Sequence, residues 1–289
     1  MSELSQEKTH NKQLDSVLTK FHSLGFTQLT EIQKKAVPLI IQKKDSLIIA
    51  PTGSGKTECS VIPVFSFVSA TKEPGKIKAL YITPLRALNR DVFKRIIKYA
   101  ESENLTIEIR HGDTSQAARK RITALPPDIL ITTPETLVIL LTQEKMLNAL
   151  SELEWVIIDE IHDLLSNERG SQLSLSLERL QINTTHPITR IGLSATVGNY
   201  DDAAKFLVGT KRKYQIIRDN TIRKYDVEIK HVNGTISDVA DFMVEYLAKL
   251  NLDSPVLLFT NTRGEAEFLA SILREKSPVS VELHHGSLS

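Results

Sequence analysis

One cysteine in 289 residues, Cys59, excludes any intramolecular disulfide and fits a reducing, intracellular setting. The longest apolar stretches, VIPVF and LVILL, fall far short of the roughly 20 residues a membrane span needs. The amino terminus, MSELSQEKTHNKQ, is polar and lacks the apolar centre of a signal peptide. With 36 Lys+Arg against 35 Asp+Glu the net charge is +1, so no global basic field announces a polyanionic partner. Local patches carry more weight on that point than the total. No low-complexity tract and no internal repeat stands out. These absences lead us to expect a soluble, cytoplasmic protein without membrane contact. A composition 41% apolar and 25% charged is ordinary for globular chains, and the length suits one to two domains with proper cores.

What is present is an alternation. Short β-rich runs occur at SLIIA (46–50), KALYIT (78–83), TIEIR (106–110), DILIT (128–132), EWVIID (154–159) and ITRIGLS (188–194). Helical spacing separates them, as with Leu88, Val92, Ile96 and Tyr99, or Leu173, Leu177 and Leu180. Such alternation predicts an α/β fold, a mainly parallel sheet covered on both faces, with ligands at the carboxyl ends of the strands. DDAAKFLVG reads as a helix stopping at Gly209, and the basic stretch KRKYQIIRDNTIRKYDVEIKHV as two short strands. Helix 236–250, strand 255–260, helix 263–275 and strand 279–285 then suggest the opening of a second α/β unit.

The first chemical signal is IIAPTGSGKTE, residues 48–58. It fits the phosphate-loop template except that Ala50 stands at the first glycine. Gly53 and Gly55 allow successive N–H groups to face one anion at a helix N-terminus. Lys56 is placed to reach the β- and γ-phosphates, and Thr57 to ligate Mg²⁺. Pro63, in the following helix, predicts a kink or early end. Cys59 reads as a small core residue. The second signal is EWVIIDEIH, where an apolar strand delivers Asp159 and Glu160. With a phosphate loop upstream, Asp159 is placed to hold Mg²⁺ and Glu160 to orient or deprotonate an attacking water. A plain polar loop start is the alternative for the acids, and a packing histidine for His162.

Taken in order, AxTGSGKT, TPLRAL, TTPE, DEIH and SAT resemble the superfamily 2 helicases. The longer stretches RHGDTSQAARK, PPDILITTPETLVILL, DEIHDLLSNERGSQLSLSLERL, LLFTNTRGEAE and HHGSLS resemble the Lhr (large helicase-related) family, from about Phe21 onward.

The resemblance implies two RecA-like lobes with ATP and Mg²⁺ between them, and a single nucleic-acid strand crossing the top. DNA is favoured over RNA, with 3′ to 5′ movement by a monomer. It assigns ATP to Phe26, Gln33, Thr52, Gly53, Ser54, Gly55, Lys56 and Thr57, with Phe26 and Gln33 beside the adenine. Thr57 and Asp159 would hold the metal, and Lys56, Asp159, Glu160 and His162 would form the catalytic group. Ser194 and Thr196 would couple the two ligands. Strand phosphates would meet Pro84, Arg86, Gly112, Asp113, Thr133, Pro134 and Glu135, and in the second lobe Thr260, Thr262, Arg263 and Gly286. Nine Lys/Arg against five Asp/Glu between residues 85 and 123 make that stretch locally basic.

The family's later second-lobe segments are missing, including one whose arginine reaches the γ-phosphate; such arginines are worth on the order of 10³–10⁵ in rate. The chain therefore reads as an N-terminal fragment: residues 1–215 a first lobe, 216–289 a linker and truncated second lobe. It is expected to bind Mg–ATP and strand but to turn over poorly alone. Two other readings stay open: a nucleotide-dependent binding or regulatory module without turnover, and a P-loop ATPase acting on protein or small molecules.

Overall fold

The computed structural model describes residues 3–84, 90–219, 227–249, 256–277 and 280–284. It divides into two compact units, Met1–Thr221 and Ile222–Ser289.

The first unit opens with two helices, α1 (Glu3–Ser23) and α2 (Glu31–Ile41), before the alternation begins. In chain order there follow β1 (Ser46–Ile49), α3 (Lys56–Thr71), β2 (Ala79–Ile82), α4 (Arg90–Ser102), β3 (Ile107–Arg110) and α5 (Gln116–Ala124). Next come β4 (Ile129–Thr132), α6 (Pro134–Leu140), α7 (Glu144–Ala149) and β5 (Trp155–Ile158). After a short 3₁₀ turn (Ile161–Asp163) lie α8 (Glu168–Asn183), β6 (Thr189–Ser194), α9 (Tyr200–Val208) and β7 (Gln215–Arg218). The sheet order is β3-β4-β2-β5-β6-β1-β7, and every neighbouring pair is parallel.

Parallel strands need crossovers, so helices cover both faces and the inner strands are buried along their whole length. Ile48, Tyr81, Ile131, Ile157 and Ile191 pack on one face with α2 and α3 residues such as Ile32, Val37, Val61 and Phe65. Leu47, Leu80, Leu130, Val156 and Ile158 pack on the other with Leu137, Leu173, Leu177 and Leu207. The alternation of two residues per pleat thus supplies two cores from one strand.

Two local expectations change. Pro63 neither ends nor shortens α3, which runs on to Thr71; Val61, Ile62, Val64, Phe65 and Val68 are buried around it, and their burial offsets the roughly 3 kcal/mol a mid-helix proline costs. The basic stretch after Gly209 yields one strand, β7, which pairs with β1 and so belongs to the first sheet; residues 227–232 form none. The expected boundary at 215 therefore falls on the first residue of a strand, and the first compact unit extends to Thr221.

The second unit contains α10 (Ile236–Lys249) and α11 (Arg263–Lys276), packed on one another. The two strands expected at 255–260 and 279–285 are not formed among their described residues. A parallel strand exists only through its neighbours. Without them the run keeps its apolar side chains in solvent, with Leu257 78% and Phe259 85% exposed. Among the described residues no helix is long and apolar enough to cross a membrane.

Candidate active site

From β1 the chain passes through Ala50 to Gly55 and enters α3 at Lys56. Ala50 is buried, donates its N–H to Ser194 O of β6 at 3.0 Å, and has no left-handed backbone. Nothing at that position needs a glycine. Gly53 and Gly55 differ: both are left-handed, with φ +76° and +87°. At Gly55 a Cβ would also lie 2.3 Å from Gln33 Nε2.

Gln33 is fully buried because its side chain works on the loop. Thr30 and Gln33 form a capping box at the start of α2, with Thr30 N–H donating to Gln33 Oε1 at 3.0 Å. From that box Gln33 Nε2 donates to Gly55 O at 3.2 Å, and Thr30 Oγ1 donates to Ser54 O at 2.8 Å. The Ser54 hydroxyl is buried and makes no hydrogen bond of its own. Thr30 escaped the sequence reading, although its T-x-x-Q spacing to Gln33 is the signature of a capping box.

The acids arrive from β5. Tyr81 of β2 donates its hydroxyl to Asp159 Oδ2 at 2.5 Å, and Glu160 N–H donates to Asp159 Oδ1 at 3.0 Å. Burial pushes the Asp159 carboxyl above its ordinary range despite these bonds and the nearby Lys56 and His162. The Glu160 carboxyl is likewise raised, first by burial; Lys56 opposes this and the Asp159 charge reinforces it. Glu160 takes a left-handed backbone (φ 47°) as the chain turns into the 3₁₀ segment. Lys56 Nζ lies 3.9 Å from Glu160 Oε1 and donates to Ala50 O at 3.4 Å.

Glu160 Oε2 is buried without a hydrogen bond, and His162 Nδ1 is 3.3 Å away. The same nitrogen is 3.0 Å from Ser194 Oγ, whose own proton goes to Thr196 O at 2.7 Å. Ser194 therefore accepts, which places the hydrogen on His162 Nδ1. A chain of contacts thus joins Glu160, His162, Ser194 and the Thr196 backbone; the Thr196 side chain itself is exposed.

The loop and the two acids line one cavity of about 460 Å³, whose wall includes Phe26, Gln33, Thr52, Gly53, Gly55, Lys56, Thr57, Asp159 and Glu160, whereas Ser54, His162, Ser194 and Thr196 are not among its lining residues. Gln28, Thr30, Glu58, Tyr81, Thr83, Val92, Phe93 and Arg95 complete it and were given no role from the sequence. Tyr81 looks like any strand residue, and Glu58 and Arg95 meet only because α3 and α4 pack together. The oxygen donors suit Mg²⁺, which needs one or two carboxylates plus substrate phosphates rather than an all-protein cage. Among the described residues no group of three or more His, Cys, Asp or Glu that could hold a metal ion is found.

A family model for DEAD/DEAH box helicases matches residues 30–203, more than half of the chain. The chain belongs to the DEAD/DEAH box helicase family. Within it the chain is similar to the ATP-dependent helicase Lhr-Core of Saccharolobus solfataricus, at 33% identity over 99% of this chain and 35% of the relative. The Lhr helicase/uracil glycosylase of Escherichia coli is 34% identical over 87% of this chain and 19% of its own. Among solved structures, the Mycobacterium smegmatis helicase Lhr bound to ssDNA and AMP-PNP is 33% identical, with a TM-score of 0.72 over 94% of this chain and 38% of that one. The Lhr resemblance read from the motifs is supported, and the sheet is the RecA-like helicase sheet. The chain spans about a third of the length of the Lhr-Core relative it matches.

The remaining helicase motifs lie where the sheet order puts them. Pro84 follows β2, Gly112 and Asp113 follow β3, and Thr133, Pro134 and Glu135 follow β4, so three adjacent strands present them at one end. Gly112 and Asp113 are exposed, while Thr133 and Pro134 are buried, the Thr133 hydroxyl capping α6 by accepting from Thr136 N–H. Glu135 is bonded to Arg169 Nε. In the second unit, Thr262 caps α11 in a capping box with Glu265, and Thr260 Oγ1 donates to Thr262 O at 3.0 Å. Arg263 is the first residue of that helix. Arg86 and Gly286 lie outside the described residues.

Proposed function

We propose that this chain is the ATP-binding, strand-gripping part of a helicase that moves along single-stranded DNA, 3′ to 5′, at the expense of ATP. The observation that carries the reading is convergence. Lys56 and Glu160 come from strands apart in sequence yet stand 3.9 Å apart in one cavity, with the strand-contact motifs on the neighbouring strands of the same sheet end. The ssDNA and AMP-PNP bound by the mycobacterial relative support the choice of ligands.

In this reading the left-handed Gly53 and Gly55, with Thr52 and Ser54, shape a cradle of N–H groups for the phosphates, and the α3 N-terminus adds its positive end. Gln33 has one amide hydrogen and one lone pair left beyond its bonds to Gly55 and Thr30, enough to read an adenine edge beside Phe26. Thr57 and Asp159 are the groups that would hold Mg²⁺, which would neutralise charge on the phosphate oxygens. Glu160, with its carboxyl raised by burial, is suited to take a proton from water. His162 and Ser194 then report the state of Glu160 to the SAT segment. Pro84, Gly112, Asp113 and the TTPE segment would hold the strand's backbone, with Thr260, Thr262 and Arg263 doing so from the second unit as the start of a second RecA-like lobe. The chain works as a monomer in the cytoplasm. Turnover and stepping belong to a protein of the relatives' length, and the 289 residues alone bind but turn over slowly.

The test is strand affinity by fluorescence anisotropy across a salt series, together with strand-stimulated ATPase. Affinity must fall steeply as salt rises. Strand binding that ignores salt, or no binding to an ATP analogue, sinks the reading, and a preference for RNA over DNA of equal sequence removes its DNA clause.

A further inference from the structure

Arg169 lies in the stretch DEIHDLLSNERGSQLSLSLERL without a role of its own in the sequence reading, and it touches two of the three segments that follow β2, β3 and β4. It stands in the first turn of α8, a short step beyond the turn that carries Glu160 and His162. Its Nε donates to Glu135 Oε1, in the segment after β4, and its second guanidinium nitrogen donates to Pro84 O, in the segment after β2. A single planar fork therefore holds two loops that are remote in sequence.

The start of α8 is itself fixed to the acid-bearing turn. Asn167 caps α8, accepting from Gly170 N–H at 3.1 Å, while its side-chain amide donates to Asp163 O. At Gly170 a Cβ would fall 1.8 Å from the carbonyl oxygen of Leu164, so only glycine lets α8 sit this close to the turn. The result is a continuous set of contacts from Glu160 and His162, through Asp163, Leu164 and Asn167, to Arg169 and then to Glu135 and Pro84.

We infer that Arg169 is a positioning residue that ties the acid-bearing turn to the strand-contact segments, so that nucleotide at one is felt as strand affinity at the other. The inference rests on the strand-binding function proposed above. Arg169 touches neither ligand in this arrangement, and acts through Glu135 and Pro84.

The experiment compares the intact chain with Arg169→Ala and Arg169→Lys, measuring ATP-analogue affinity, ssDNA affinity, and ssDNA affinity with saturating Mg–ATP analogue. The wild type is expected to show a nucleotide-dependent shift in strand affinity on the order of fivefold or more. Arg169→Ala abolishes the shift and leaves analogue affinity unchanged. Arg169→Lys, keeping the charge opposite Glu135 but not the fork to Pro84 O, retains part of it. Hydrogen exchange without ligand is the second arm: Arg169→Ala is expected to speed exchange at Thr136 and Leu137 N–H, in the first turn of α6, and leave the α8 interior unchanged. A full wild-type shift in Arg169→Ala, no shift in a wild type that binds both ligands, or unaltered exchange at α6 overturns the inference while leaving the proposed function standing. A wild type that binds neither ligand overturns the function first.

Discussion

Gln33 Nε2 donates to Gly55 O at 3.2 Å, so the residue proposed to read the base also braces the glycine loop. The bond is possible because Gly55 has no side chain: a Cβ there would lie 2.3 Å from that same nitrogen. In the proposed function, base reading and phosphate holding would therefore share one buried amide.

Gly55→Ala adds that collision to a left-handed backbone (φ +87°), whereas Gly53→Ala meets only the backbone penalty, since nothing lies within 4 Å of its Cβ. Gly53→Ala is expected to cost roughly 1–2 kcal/mol. Gly55→Ala should cost more and remove nucleotide binding. Thermal melting paired with titration of a fluorescent ATP analogue ranks the two; equal effects would mean that the Gln33 contact carries no weight.

Lys56→Ala and Glu160→Gln separate binding from chemistry. The first removes the cation from the phosphate cradle and is expected to abolish analogue binding. The second keeps binding and lowers kcat by about 10²–10⁴, the worth of a general base. A Glu160→Gln protein with wild-type turnover would falsify the assignment of the base.

Tyr81→Phe deletes a hydrogen bond that favours the ionised form of Asp159. Burial already holds that carboxyl above its ordinary range, so the loss raises it further. The acid limb of the pH profile of kcat/KM for ATP should move to higher pH. An unmoved limb would show that Asp159 ionisation does not limit the reaction.

Glu154 lies on the other end of the sheet, 2.7 Å from Lys43 and 3.8 Å from Lys78. Burial alone would raise its carboxyl, but the hydrogen bond and charge of Lys43, with Thr71 and Lys78, hold it below its ordinary range. A carboxyl lowered on folding stabilises the native state above its unfolded value, and the contribution disappears as pH falls through the folded value. Urea midpoints should therefore drop below about pH 4.5 in the wild type, and by less in Glu154→Gln. Parallel curves for the two proteins would remove Glu154 from the account.

Gly170→Ala tests the seat of α8. With Leu164 O 1.8 Å from the added carbon, backbone must shift, at a cost of about 1–3 kcal/mol. The melting temperature should fall, and replacement of Gly198, which has open space around it, should not match the effect.

Much of the site was legible because its chemistry is local. The glycines, Lys56 and Thr57 follow one another, and Asp159 and Glu160 end an apolar strand, so spacing alone named them. Six strands were legible for the same reason: buried parallel strands are short apolar runs, and each lies within a residue of its reading. Thr30 could have been found from its capping-box spacing. The contacts of Tyr81, Arg95 and Arg169 could not, because their partners are remote in sequence.

By itself, then, the sequence determined the strand-and-helix alternation, the phosphate loop and the acids, since these depend on neighbours a few residues away. Tertiary structure alone decided that β7 joins the first sheet and that the runs around 257 and 282 form no strands, because ladder pairing is set by which strands are adjacent. It also decided that α3 continues through Pro63, since burial of the surrounding side chains outweighs a local break. And it alone brought Glu160 to Lys56, and Arg169 to Glu135 and Pro84. The sheet order β3-β4-β2-β5-β6-β1-β7, which no local pattern contains, sets the segments proposed to contact the strand on one side and the glycine loop and acids on the other.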